Sequence, residues 1–276
     1  MTITQLQYLI AVAEHQNFTI AAEKSFVTQP TLSMQISKLE EELNVKIFDR
    51  GTKPIKLTEV GTKIVEQARK VVIEAERMQD IVSIEKGFIG GPYRLGIIST
   101  VMPILLPMFL TTFVKRYPKV NLIIRELTTD EILTGLREGK LDAAIAATPL
   151  ETPDLIERPL YYEPFVGYLP EGHRLNDKAE LKAEDLNLEE VLLLQDGHCF
   201  RDNILNLCDM NLNNRDKKFT IESGNFETLG QLSDERMGMT LLPYLHTLGL
   251  KENQKKGLKH FEKPEPAREI SLIYSK

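Results

Sequence analysis

Leu6, Leu9, Ile10 and Ala13 recur at helical spacing and predict a first amphipathic helix. Phe18 and Thr19 open a second, with Thr19 as the expected N-cap before Ile20, Ala21 and Ala22. Thr28 caps a third, and Pro30 falls in its first turn, where a missing N–H costs nothing. Leu32, Ile36, Leu39 and Leu43 form its expected inner face. Gln29, Thr31, Ser33, Met34 and Lys38 form the outer one. A short helix, a tight turn and a helix with a polar outer face make a helix-turn-helix pattern. A short hairpin follows, from Val45 through Asp49-Arg50-Gly51 to Leu57. Thr58 then caps a long helix running to about residue 86, with Ile64, Ala68, Val71, Ala75, Met78 and Val82 spaced as a heptad seam. On an exposed helix such a stripe predicts a dimer; packing on its own domain is the alternative. Gly87, Gly90, Gly91 and Pro92 make a hinge.

Beyond the hinge the pattern alternates. Strands are expected at 93–98, 120–126, 141–146, 165–169, 191–194, 219–222, 239–242 and 270–274, with helices at 103–116, 130–138, 200–208 and 226–235. This predicts an α/β domain of parallel sheets and crossover helices behind an α+β head. Ligands bind beyond the carboxyl ends of such strands. Ser99-Thr100, Thr128-Thr129 and Gly197-His198-Cys199 each follow a strand and are expected to border a cleft. The expected divisions are 1–58, 59–92 and 93–276.

Composition narrows the class. The 276 residues carry a net charge of −6, which by itself does not suggest nucleic acid. In the head, Lys24, Lys38, Lys46, Arg50, Lys53 and Lys56 balance Glu14, Glu23, Glu40, Glu41, Glu42 and Asp49. Glu14 and His15 interrupt the first apolar stretch, so it does not read as a signal peptide. The stretch 101–110 is about half a membrane span and holds Pro103 and Pro107. A cytoplasmic location is expected, where disulfides are transient.

Against that background the two cysteines stand out, because both lie in one short segment, nine positions apart. A helix between Cys199 and Cys208 would hold their Cα atoms roughly 13 Å apart. A disulfide needs about 7 Å. Bonding would therefore require the helix to unwind. Cys199 falls at the expected helix start, flanked by His198 and Arg201, which should favour its thiolate. Cys208, with Ile204 and Leu207, lies on an apolar face that favours the neutral thiol. This suits a redox sensor with a resolving partner. Two alternatives stay open: ordinary core cysteines, and a metal site from His198, Cys199 and Cys208, whose spacing is wider than known sites.

The strings Gln29-Pro30-Thr31-Leu32-Ser33, Leu39-Glu40-Glu41-Glu42-Leu43 and Ile47-Phe48-Asp49-Arg50, then Leu57-Thr58 and Gly61, resemble the winged head of LysR-type transcription regulators. His198-Cys199-Phe200-Arg201-Asp202 with Cys208 is similar to the redox segment of that family's peroxide sensors. Ser99-Thr100-Val101 before Leu105-Leu106-Pro107, Gly139-Lys140-Leu141-Asp142, Thr240-Leu241-Leu242-Pro243, and Lys263-Pro264-Glu265-Pro266 with Arg268 extend the match over nearly the whole chain. Met34 stands where many members have arginine. Lys218 replaces an expected histidine, and the following loop is two residues longer. Members usually continue past the last strand into another helix.

The resemblance implies a winged helix-turn-helix, a dimerising linker helix and a two-lobed, Rossmann-like effector domain of periplasmic-binding-protein type. Lobe I would be 93–163 plus 267–276, and lobe II 164–266. It implies that Gln29, Pro30, Thr31, Ser33 and Lys38 enter the major groove and that Lys53 and Lys56 meet phosphates or the minor groove. It implies that Cys199 attacks hydrogen peroxide, with Thr100, Thr129, Gly197 and His198 holding the peroxide. Arg201, Lys218 and Arg268 would support the thiolate, and Cys208 would resolve the sulfenic acid into a disulfide. The implied partners are promoter DNA, a homodimer or homotetramer, RNA polymerase, and thioredoxin- or glutaredoxin-type reductants. No cofactor, metal or enzymatic turnover is implied. The rivals are a family member that answers a small organic acid in the cleft, and a thiol peroxidase.

Overall fold

The computed structural model describes residues 1–85, 87–207 and 224–276, and divides into two units: 1–90 with 137–140, and 91–136 with 141–276. Among the described residues, no helix is long and apolar enough to cross a membrane.

The first unit holds α1 (Ile3–His15), α2 (Phe18–Lys24), α3 (Gln29–Leu43), the hairpin β1 (Phe48–Asp49) and β2 (Lys56–Leu57), and α4 (Glu59–Glu85). Helix starts follow local chemistry. Thr2 and Gln5 cap α1 reciprocally. Asn17, not Thr19, caps α2, its Oδ1 accepting from the Thr19 N–H at 2.8 Å. Asn competes well for that position, and Thr19 falls one residue inside the helix. Thr28 caps α3 and Thr58 begins α4 as expected, the latter accepting from the Gly61 N–H at 2.9 Å. Gly61 is required there, because a Cβ would lie 2.1 Å from the Ile47 carbonyl oxygen.

The inner face of α3 differs from expectation at one position. Leu32, Ile36 and Leu39 are buried but Leu43 is exposed, and Glu40 is buried instead. Its Oε1 accepts from the Ile47 and Phe48 N–H groups, and Oε2 from Arg50 at 3.2 Å. A buried carboxylate is tolerable only when so satisfied. The stripe on α4 splits in two. Val65 and Ala68 join the head's own core, with Ile64 and Val71 packed against it, whereas Met78, Ile81 and Val82 are 64%, 60% and 51% exposed.

The second unit runs β3 (Gly91–Ile98), α5 (Met102–Arg116), β4 (Val120–Leu127), α6 (Thr129–Arg137), β5 (Ala143–Thr148), β6 (Leu155–Tyr168), a 3₁₀ turn at Ala183–Asp185, β7 (Val191–Leu192) and α7 (Cys199–Leu207). After it come α8 (Phe226–Asp234), β8 (Met239–Pro243), α9 (Tyr244–Thr247), α10 (Glu252–Lys255), β9 (Leu258–Lys259) and β10 (Ala267–Ser275). The strands form one path, β4-β3-β5-β10-β6-β8-β7, with β9 on β6. The expectation of parallel sheets holds for β4-β3-β5 and β7-β8 only. β10 is antiparallel to both β5 and β6, and β6 to β8. β6 is fourteen residues long and begins ten before its expected start. Pro159, Pro164 and the charged run of 157–158 hide it from a pattern search, and pairing with β10 makes it a strand. The expected strand 219–222 lies outside the described residues. Two apolar cores flank this path. One is built from β3, β5, α6 and Ile270 and Ile273 of β10; the other from residues 165–261. They correspond to two lobes.

Candidate functional site

In the first unit, Gln29, Pro30, Thr31, Met34 and Lys38 are exposed and Ser33 is half-buried. Lys53 and Lys56 are exposed on the hairpin. Arg50 is committed to structure. Its guanidinium reaches Ser33, Ser37 and Glu40 and lies 5.0 Å over the Phe18 ring, tying the hairpin to α3.

In the second unit, the residues expected at the cleft converge from distant parts of the chain. Cys199 is the first residue of α7, half-buried against the first core, while Phe200 beside it is fully buried in the second. One turn of chain thus joins the two cores. Gly197 has φ +87°, a conformation that suits glycine at the entry to α7. Phe200 packs edge-on to Phe165 and Phe226, at 5.2 and 4.8 Å between ring centres.

The Arg268 guanidinium lies 4.9 Å over the same ring. It donates to Thr100 Oγ1 at 2.9 Å and the Thr100 carbonyl at 3.3 Å, and to Glu163 Oε2 at 2.8 and 3.0 Å. Glu163 Oε1 accepts from the Leu245 N–H at 3.1 Å. Arg268 and Glu163 are each 3% exposed. Glu163 is the buried partner of Arg268 that pattern reading missed. Little in the sequence signals it, because residues 155–164 carry no strand pattern of their own.

His198 is buried, its Nδ1 3.2 Å from Ser99 Oγ. Burial pushes its pKa down, with Glu126 opposing. That direction favours the neutral ring, which meets Ser99 by hydrogen bonding. Arg201, also expected to favour the thiolate, has two other partners. Its Nε pairs with Asp196 at 2.8 Å and its Nη1 donates to the Leu194 carbonyl at 3.0 Å. The carboxyl pKa of Asp202 is raised, first by burial, with nearby Arg201 opposing and Asp196 and Asp130 reinforcing. The electrostatic reach of Asp130 brings the starts of α6 and α7 into one neighbourhood.

Capping of α6 is done by Thr128 with Glu131. Thr129 is thereby released from that work, and its buried Oγ1 has no hydrogen-bond partner among the described residues. A buried hydroxyl in this state is costly unless something donates to it or accepts from it. Cys208 and Lys218 lie outside the described residues. Among those described, no three His, Cys, Asp or Glu side chains gather as for a metal ion.

The arrangement was compared with known proteins. The description "Bacterial regulatory helix-turn-helix protein, lysR family" matches residues 3–62, and "LysR substrate binding domain" matches residues 86–276. The hydrogen peroxide-inducible genes activator of Pectobacterium carotovorum is 37% identical over 99% of this chain and 90% of its own length. A full-length OxyR variant from Pseudomonas aeruginosa superposes with a TM-score of 0.80 at 34% identity, covering 100% of this chain and 92% of that one. A hydrogen-peroxide-bound OxyR variant from Corynebacterium glutamicum does so with a TM-score of 0.61 at 32% identity, covering 99% and 86%.

Proposed function

We propose, for a chain that belongs to the LysR family of transcriptional regulators, that it is a peroxide-responsive, DNA-binding activator switched at Cys199. The observations that carry this are a half-buried thiol at the first turn of α7 and, at the start of α6, a buried threonine hydroxyl with no partner among the described residues. The amides of a helix start favour an anion. The Cys199 thiolate attacks one peroxide oxygen, the S–O bond forms as the O–O bond breaks, and the leaving hydroxide takes a proton to become water. Thr129 Oγ1, Thr100, the Gly197 turn and His198 orient the peroxide. Arg268 holds Thr100 in place through its guanidinium.

Cys208 then attacks the sulfenic acid, a disulfide forms and water leaves. Nine helical residues precede Cys208, so the bond requires α7 to open. That opening moves Phe200, which α7 shares with Arg268 and the second core. The change in packing alters the spacing of DNA-binding pairs. The uncovered half of the α4 stripe supports assembly of those pairs as a dimer, and of dimers as a tetramer. Gln29, Pro30, Thr31, Ser33 and Lys38 serve the major groove, Lys53 and Lys56 the phosphates. RNA polymerase is the downstream partner. Thioredoxin- or glutaredoxin-type proteins reset the thiols in the bacterial cytoplasm. Residues 1–58, 59–92 and 93–276 serve as head, linker and sensor.

Peptide mapping after peroxide treatment is expected to find a Cys199–Cys208 linkage that Cys199→Ser abolishes, together with a shifted DNA footprint. A footprint that answers a small organic acid and ignores peroxide would sink the reading. Multiple turnovers with a thiol reductant would convert it to a peroxidase.

A further inference from the structure

Phe26 is held in the turn of the helix-turn-helix in a way its own fold does not reward. Ser25 ends α2. The Phe26 N–H bonds the Glu23 carbonyl at 3.2 Å and the Val27 N–H bonds the Ala22 carbonyl at 3.0 Å, which is a Schellman ending. The residue after the cap in that motif takes a left-handed conformation and is usually glycine. Here it is Phe26, at φ +55°. The other left-handed helix ends of the head use the polar residues Gln16 and Asn44. Phe26 also leaves its side chain 96% exposed, while Val27 beside it packs on the core. Backbone strain and an exposed aromatic ring both work against the isolated fold.

The position says what could reward them. Three residues later comes Gln29, so the two Cα atoms are at most about 11 Å apart. Gln29, Pro30 and Thr31 are exposed at the start of α3 and carry no charge. The head's cations and anions balance, which leaves little ionic attraction for DNA. We propose that Phe26 is an additional DNA contact, packing its ring on thymine methyl groups at the edge of the major-groove site, where apolar side chains read thymine. This rests on the helix-turn-helix binding DNA, and it adds a sequence-selective residue to that surface.

The test uses the full chain and a duplex that the wild-type chain selects from a random pool, prepared with thymidine or with deoxyuridine. Phe26→Gly suits the backbone, so its melting temperature should not fall, yet affinity for the thymidine duplex should drop roughly tenfold. On the deoxyuridine duplex wild type and variant should bind alike. The salt dependence of binding should be unchanged, since no phosphate contact is lost. Phe26→Asn, also compatible with this backbone, should behave as the glycine variant does. Equal affinity of Phe26→Gly and wild type, or equal losses on both duplexes, would overturn the proposal. So would intact DNA binding with lost recruitment of a protein partner. Lys38→Ala separates the two readings. If it weakens binding while Phe26→Gly does not, only the Phe26 proposal fails. If wild type binds no duplex, the DNA reading itself fails.

Discussion

The head and the effector domain each bury a carboxylate against an arginine, and the two clamps differ. Glu40 is 2% exposed, but its Arg50 partner reaches it from the surface, and two main-chain N–H groups carry the rest of the anion's needs. Every group there has a partner, so the clamp fixes the hairpin on α3 and leaves a rigid reading surface. Glu163 and Arg268 are both buried, and the arginine spends its remaining donors and its flat face on Thr100 and Phe200. Nearby, Thr129 Oγ1 has no partner among the described residues. One clamp ties a hairpin to a helix, and the other ties Thr100 and Phe200 to a buried ion pair. The same pair of residue types therefore does different work according to what its last donors touch.

The largest effect that would test this contrast is in the effector domain. Arg268→Ala leaves Glu163 buried without its cation and should cost about 3–5 kcal/mol in denaturant unfolding of that domain. Replacing both partners, Glu163→Leu with Arg268→Met, should recover most of that stability but not the peroxide response, because Thr100 loses its support. In the head, Glu40→Ala strands two buried N–H groups and should cost about 1–3 kcal/mol. A larger loss in the head than in the effector domain would reverse the comparison.

The smallest effect is with pH. His198, His173 and His246 each have a pKa pushed below the usual histidine value of 6.5, first by burial. Their folded forms resist protonation more than their unfolded forms do. Stability of the effector domain should thus be full above pH 6.5 and fall as pH drops from there toward their folded pKa values. The head buries no histidine among its described residues, His15 being exposed, and should change its melting temperature less over the same interval. Equal acid sensitivity of the two would remove this part of the contrast.

Much of the head was legible in its residues because its signals are short-ranged. A cap acts over three residues and an amphipathic stripe over four, so Thr28, Pro30, Thr58 and the run Leu32, Ile36, Leu39 announce themselves. The same holds for the strand-end positions of Thr100, Thr129 and Cys199. What failed was long-ranged. Leu43 looks like core and is not, because the hairpin's amide groups draw Glu40 inward. Arg201 also holds Asp196 and the Leu194 carbonyl, partners that its place beside Cys199 does not announce. The first ten residues of β6 have no strand pattern of their own and become a strand only beside β10, about 110 residues away.

The chain's own order of residues therefore determined the helix-turn-helix, the alternating effector domain and the candidate thiol at the start of α7, since periodicity, caps and motif spacing act between near neighbours. Tertiary structure alone decided that His198 is buried, that Arg268 answers to Glu163, that the α4 stripe divides, and that Thr129 has a buried hydroxyl without a partner among the described residues. Those outcomes depend on burial and on which distant group arrives within 3 Å, and no local pattern encodes either.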